Sequence, residues 1–384
     1  MKYDFDTIVS RRGTDCIKWD SCPDGVIPAW VADMDFKTAP CVVEALKERV
    51  EHGVFGYTCI TPHYHEAVHN WFLTRHGWDI DPETIVCTTS VVPALSAIIK
   101  GMTKPGDRVL IQTPAYNCFF SSPRNNKCEI YDVPLTYHPD GYTIDFEALE
   151  AAAAHPDTKL MILCNPHNPV GRVWTRDELI RIADICLKHN VFVISDEIHC
   201  ELTYPGHDYT PYNTLGEKYA LNAAVCVSPS KAFNIAGVHI ANIIAVDPEV
   251  RQRIDRAIND NEVCDMNPFG VTALIAAYNH GGEWLDQLRE YLYDNYLFVR
   301  DFFAKNLPQY PVLPLEGTYL VWINCAGTGI SSEELVQRMI EEQKVKPNGG
   351  AMYGDDKFIR LNIACPRALL ADILDRMAQV LAPL

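Results

Sequence analysis

The sequence predicts an α/β fold built on a mainly parallel sheet, and three observations carry that reading. Short β-rich runs alternate with helical patterns from about residue 85 to residue 246. Several of these runs are apolar almost throughout, as strands covered on both faces of a sheet must be. Polar residues gather where the runs end, at the edge where open α/β sheets bind ligands.

In chain order, the strand candidates are Ile85–Thr89, Val109–Gln112, Glu129–Val133, Lys159–Cys164, Val191–Ser195, Ala224–Ser228 and Ile240–Val246. Thr61 and Pro62 give an N-cap with proline at the first helical position, and Gly77 closes that helix. Thr175 with Glu178 forms a capping box that opens a helix running to about His189. From about Pro248 the pattern changes to long helices, then to a smaller unit with strands near Tyr319–Ile323 and Lys357–Ile363. The expected division is an N-terminal segment over 1–45 packing with the small unit, a large domain over 46–283 and a small α/β domain over 284–384.

Composition narrows the function. Of 384 residues, 48% are hydrophobic and 22% charged, which suits a folded domain with a substantial core. A net charge of −17 repels phosphate backbones and argues against general nucleic-acid binding. The first residues, Met1–Asp6, hold no apolar run of the secretory kind. No stretch approaches the ~20 apolar residues of a membrane span. The 14 cysteines are scattered, and no Cys-x-x-Cys occurs. Reduced thiols in a cytoplasmic protein are the expectation.

One motif suggests metal. His65-Glu66-Ala67-Val68-His69 matches the zinc-protease helix pattern, with two histidines on one helical face. The metzincin extension would need glycine and histidine where the chain has Phe72 and Arg75. The expectation is a solvated helix face and no metal.

Four strand ends are more informative. The first runs into Thr88-Thr89-Ser90-Val91-Val92-Pro93 and then an apolar helix, whose free N–H groups suit a phosphate. The others end in Asn165-Pro166-His167-Asn168, in Ser195-Asp196-Glu197-Ile198-His199, and in Ser228-Pro229-Ser230-Lys231. Together they offer a phosphate cradle, an amide, a carboxylate and a lysine. A lysine can hold a carbonyl cofactor as a Schiff base. A buried carboxylate can keep a pyridine nitrogen protonated. Those are the needs of pyridoxal 5'-phosphate.

At these residues the chain resembles the fold-type I pyridoxal-phosphate enzymes, in particular the MalY/PatB-type cystathionine β-lyases (cysteine-S-conjugate β-lyases). Further support comes from Arg11-Arg12-Gly13-Thr14, Lys18-Trp19-Asp20 and Trp30-Val31-Ala32-Asp33-Met34-Asp35-Phe36. The resemblance implies an aspartate-aminotransferase-like fold, with a seven-stranded large domain that binds the cofactor, and carbon–sulfur β-elimination from cysteine conjugates. It implies that Lys231 anchors the cofactor and acts as base, Asp196 pairs with the pyridinium nitrogen, Asn168 donates to the ring oxygen and Tyr116 stacks on the ring. Val91, Val92, Ser228 and Ser230 would hold the phosphate, and Arg360 the substrate α-carboxylate. Tyr57 would reach the phosphate of a neighbouring subunit, which implies a homodimer.

Three departures stand out: Ser90 replaces a glycine common in relatives, His199 replaces the tyrosine aminotransferases place on the ring oxygen, and His239 replaces their phosphate-binding arginine. The same scaffold also suits transamination. The resemblance extends as well to a regulatory role, in which the protein binds and restrains a transcription activator.

Overall fold

The computed structural model describes residues 3–384. Seven strands form the central sheet: β1 (Ile85–Thr88), β2 (Arg108–Ile111), β3 (Glu129–Asp132), β4 (Thr158–Cys164), β5 (Phe192–Asp196), β6 (Ala223–Val227) and β7 (Ala241–Ile244). Their order is β1-β7-β6-β5-β4-β2-β3. The pairs β2–β3, β2–β4, β4–β5 and β5–β6 are parallel, whereas β7 is antiparallel to both β1 and β6. Each strand falls within a residue or two of the run that foretold it. The reversed sense of β7 qualifies the expected parallel sheet.

Helices cover both faces. The main ones are α1 (Pro40–Glu51), α2 (Pro62–His76), α3 (Val91–Met102), α4 (Arg176–Lys188), α5 (Pro248–Asn259), α6 (Pro268–His280) and α7 (Gly282–Asn306). Side chains of α3 and α5, such as Leu95 and Ile254, share one buried cluster with Leu160 and Ile162 of β4. Met161 and Leu163, one position on, point into the other cluster with Leu179 and Ile182 of α4. This period of two puts apolar side chains on both faces and explains the continuous apolar runs. The capping box of α4 is present, with Thr175 Oγ1 accepting from Glu178 N–H. On α2 the buried side is Tyr64, Ala67, Val68, Trp71 and Phe72, leaving His65 and His69 half-buried on its outer side.

The chain then builds a smaller antiparallel sheet. It comprises β8 (Leu320–Asn324), β9 (Asn348–Gly349) and β10 (Phe358–Asn362), in the order β8-β10-β9, flanked by α8 (Ser332–Gln343) and α9 (Arg367–Leu381). Ile27 and Pro28 pair in parallel with Val345 and Lys346. Ala29 N–H donates to the Lys346 carbonyl at 2.8 Å, and Asp35 N–H to that of Ala364 at 2.8 Å. The N-terminal segment thus runs from this smaller sheet to the edge of the large one.

Candidate active site

The carboxyl ends of the central strands are level, with Asp196 in register with Cys164 on one side and Cys226 on the other. Neighbouring strands lie roughly 4.8 Å apart, so groups that leave these ends converge. They enclose a cavity of about 140 Å³. Lys231, Asp196, Asn168 and Tyr116 line it, with His199 and Ser230. Val91 and Val92 form one end of it, beside Ser90.

Asp196 is 4% exposed and accepts from the Ile198 N–H at 3.2 Å. Burial raises its pKa to about 7, against the lowering effects of that N–H and of Lys231. Lys231 moves the other way. Burial and then the Arg360 charge lower its amine to about 8, while Asp33, Asp196 and Cys118 act to raise it. Its Nζ donates to the Ala32 carbonyl at 2.6 Å.

Asn168 Oδ1 accepts from Arg360 Nη1 at 3.0 Å. That bond fixes the amide and aims its NH₂ as the remaining donor. Arg360 is 3% exposed, and its Nη2 donates to the Trp30 carbonyl at 2.8 Å. Its guanidinium lies 4.6 Å from the Tyr353 ring centroid. Its Nε is buried without a hydrogen-bond partner, and burial lowers its pKa. Among the described residues no carboxylate forms an ion pair with Arg360.

Ser90 precedes α3 in extended backbone, and the first helical N–H groups have no partner within the helix. Ser90 Oγ lies 3.2 Å from His239 Nδ1. His199 is buried with its Nδ1 unpartnered. Burial, then the charges of Lys231 and Arg360, hold it well below the usual imidazole range. It is therefore neutral beside the cavity. Burial likewise raises the Tyr116 phenol.

Three expected site residues stand apart from the wall. The Ser228 hydroxyl donates to the Ile240 carbonyl at 2.6 Å and accepts from Ser230 N–H at 3.1 Å, which shapes the turn before Lys231. Arg360 stands behind Asn168. Tyr57 is 98% exposed and lies outside the lining of this cavity. The sequence reading did not place Ala32, Tyr319 or Asn348 at the site. Tyr319 OH donates to the Ala32 carbonyl at 2.9 Å, and Asn348 Nδ2 to that of Trp30 at 3.0 Å. The motif Trp30–Phe36 is the sequence signal for Ala32.

A lysine amine, an opposed buried carboxylate, an amide donor, a ring-bearing tyrosine and a helix N-terminus share one enclosure. That donor set fits pyridoxal 5'-phosphate, and the unpartnered His199 Nδ1 adds a further buried polar atom beside the same space. The fold and cavity together define an aspartate-aminotransferase-like, fold-type I body. The chain belongs to the aminotransferase class I and II family, whose description matches residues 31–377.

Within it, the chain is 40% identical to cystathionine beta-lyase PatB of Bacillus subtilis, over 98% of this chain and 100% of that protein. It is 37% identical to the protein MalY of Escherichia coli, over 96% of each. The crystal structure of cystalysin from Treponema denticola, which contains a pyridoxal 5'-phosphate cofactor, superposes with a TM-score of 0.97 at 36% identity, covering 100% of both chains.

Proposed function

We propose that this chain is a pyridoxal-phosphate-dependent carbon–sulfur β-lyase that converts L-cystathionine or a related cysteine S-conjugate to pyruvate, ammonia and a thiol. The observation that carries the reading is Arg360, a buried guanidinium without an acidic partner, joined through Asn168 to the cavity that holds the Lys231 amine. An α-amino acid presents a carboxylate to the first and its Cα to the second. The names and cofactor of the relatives at 36–40% identity support the choice of elimination.

When bound, pyridoxal phosphate supplies an electron sink for the charge left on Cα. Lys231 Nζ would be its covalent anchor, Asp196 would face the ring nitrogen, and Asn168 and His199 the ring oxygen. Tyr116 would cover the ring, and Val91, Val92, Ser228 and Ser230 would surround the phosphate. Arg360 clamps the substrate carboxylate through its two-pronged guanidinium. The Lys231 amine, kept near neutrality by burial, takes the Cα proton. The thiolate leaves Cβ, and the resulting enamine is hydrolysed by water to pyruvate and ammonia.

We further propose a homodimer in which Tyr57 reaches the neighbouring subunit's phosphate. Its almost complete exposure supports this, with Val54 and Phe55 also exposed beside it. The division into 1–45, 46–283 and 284–384 is proposed too, supported by the separation of the seven-stranded from the three-stranded sheet. A cytoplasmic setting is supported by 14 cysteines that are all unpaired.

The test is purified protein with L-cystathionine and no 2-oxo acid, following pyruvate and free thiol together. Equal release of both is expected. Turnover that appears only when a 2-oxo acid is added would overturn the proposal in favour of transamination.

A further inference from the structure

The chain from Ala29 to Met34 forms a strap that meets the cavity at Ala32, and each of its six carbonyls accepts a hydrogen bond. Ala29 accepts from Asn362 N–H at 3.0 Å, and Trp30 from Arg360 and Asn348. Val31 and Asp33 accept from Asn362 Nδ2 at 2.5 and 2.7 Å. Ala32 accepts from Lys231 and Tyr319, and Met34 from Asn234 at 2.9 Å and Arg11 at 3.1 Å. The strap therefore joins the amine that moves the proton to the guanidinium that holds the carboxylate.

Its far side is locked by charge. Lys18 is 1% exposed, and its Nζ lies 2.7 Å from Asp35 and 3.4 Å from Asp33. Arg11 forks onto the same two acids, at 2.5 Å to Asp33 and 2.8 Å to Asp35. Trp19 Nε1 adds a bond to Asp35 at 2.8 Å. Two cations face two anions, so the cluster is neutral as a whole while it fixes backbone, and Asp33 is its member that acts on the Lys231 amine. Buried pairs of this kind add little net stability over an apolar replacement, yet removing one partner is costly because it strands the other charge.

We propose that Arg11 and Lys18 are positioning residues, which through Asp33 and Asp35 hold the strap so that the Ala32 carbonyl keeps the Lys231 amine aligned for proton transfer, while Asn348 separately fixes the Arg360 end. The inference rests on the lyase reading for its kinetics. Its spectroscopic readout needs only bound cofactor.

The charged and titratable groups around the Lys231 amine are Arg360 from β10, Asp196 at the end of β5, Asp33 from the strap, and Cys118 and His199. Of these, Asp33 alone is neutralised by Arg11. Arg11→Gln therefore unmasks a negative charge near the amine, which favours its protonated form. The shift should be upward.

The experiment compares wild type with Arg11→Gln, Arg11→Lys and Asn348→Ala as holoenzymes. It measures kcat and KM against pH, melting temperature, and the pH at which absorbance of the bound cofactor changes. For Arg11→Gln we expect kcat near pH 7 to fall about tenfold, KM to change less than about threefold, and the absorbance transition to move to higher pH by roughly half a unit. Arg11→Lys should recover most of both effects. Asn348→Ala should do the reverse, raising KM about tenfold with kcat nearly kept.

An unmoved absorbance transition in Arg11→Gln would overturn the inference, as would kcat and KM changing together in both variants in step with melting temperature. Absence of lyase turnover in wild type, with the absorbance shift still present, would instead reject the lyase reading and leave the positioning role standing.

Discussion

At the scale of single residues the site is a set of groups whose burial opposes their usual charge. The Lys231 amine, at about 8, is a base within reach of neutral pH, and kcat should rise with pH through that region because only the unprotonated amine accepts a proton. Lys231→Ala should lower turnover by at least about 1,000-fold while leaving melting and elution unchanged, since among the described residues its amine bonds only to Ala32. Asp196, at about 7 in the ligand-free protein, gives a second pH effect. Its carboxylate form pairs with a protonated ring nitrogen, and below pH 7 proton uptake competes with that pairing. Cofactor affinity should therefore weaken as pH falls from 7 to 5, measured by absorbance titration of the apoprotein. Asp196→Asn should weaken binding at pH 8 and flatten the dependence.

Lys231, Asp196 and Asn168 stand out in the sequence because each lies at the end of an apolar strand or within four residues of it, the edge where open α/β sheets bind ligands. Ala32 does not, because it acts through a backbone carbonyl that every residue possesses. The roles proposed for Arg360 and Tyr57 rest on likeness to relatives, for nothing in their local spacing marks them.

Elements position these groups through close packing. Gly281 joins α6 to α7, and a Cβ there would overlap the ring of Phe233 and lie 2.5 Å from the Ala277 carbonyl oxygen. Phe233 belongs to the turn that carries Lys231, and its N–H donates to the Pro229 carbonyl at 2.8 Å. Gly281→Ala should therefore cost about 1–3 kcal/mol, read from urea unfolding, and lower activity by displacing that turn. Strand positions were readable because apolar residues on both faces leave an unbroken run. The direction of β7 was not, since an antiparallel strand buried on both faces has the same composition. The hairpin of Thr136–His138 and Gly141–Thr143 has no clear sequence signal, its first strand being polar and solvated.

For the whole molecule, the decisive question is whether two chains share each cavity. With Tyr57 supplied by the neighbour, a hybrid of one Lys231→Ala and one Tyr57→Ala chain regains one intact site. The Lys231→Ala chain donates its tyrosine to the partner that keeps its lysine. Co-refolding equal amounts should restore about one quarter of wild-type specific activity, because half of randomly paired dimers are hybrids with one working site. Assay of the mixture against each parent checks this, and activity no higher than the mean of the parents would contradict the shared site.

The strap that meets the cavity at Ala32 also sets an order in time. The bond between Arg360 and the Trp30 carbonyl spans 330 positions, and that between Asn362 and Val31 spans 331. Contacts so distant in sequence carry the largest loop-closure cost, whereas the strand ends that bear Asp196 and Lys231 lie only 35 positions apart in the same sheet. Loop closure therefore predicts that the strand ends bearing Asp196 and Lys231 gain protection before the strap does, which pulsed hydrogen exchange during refolding would check.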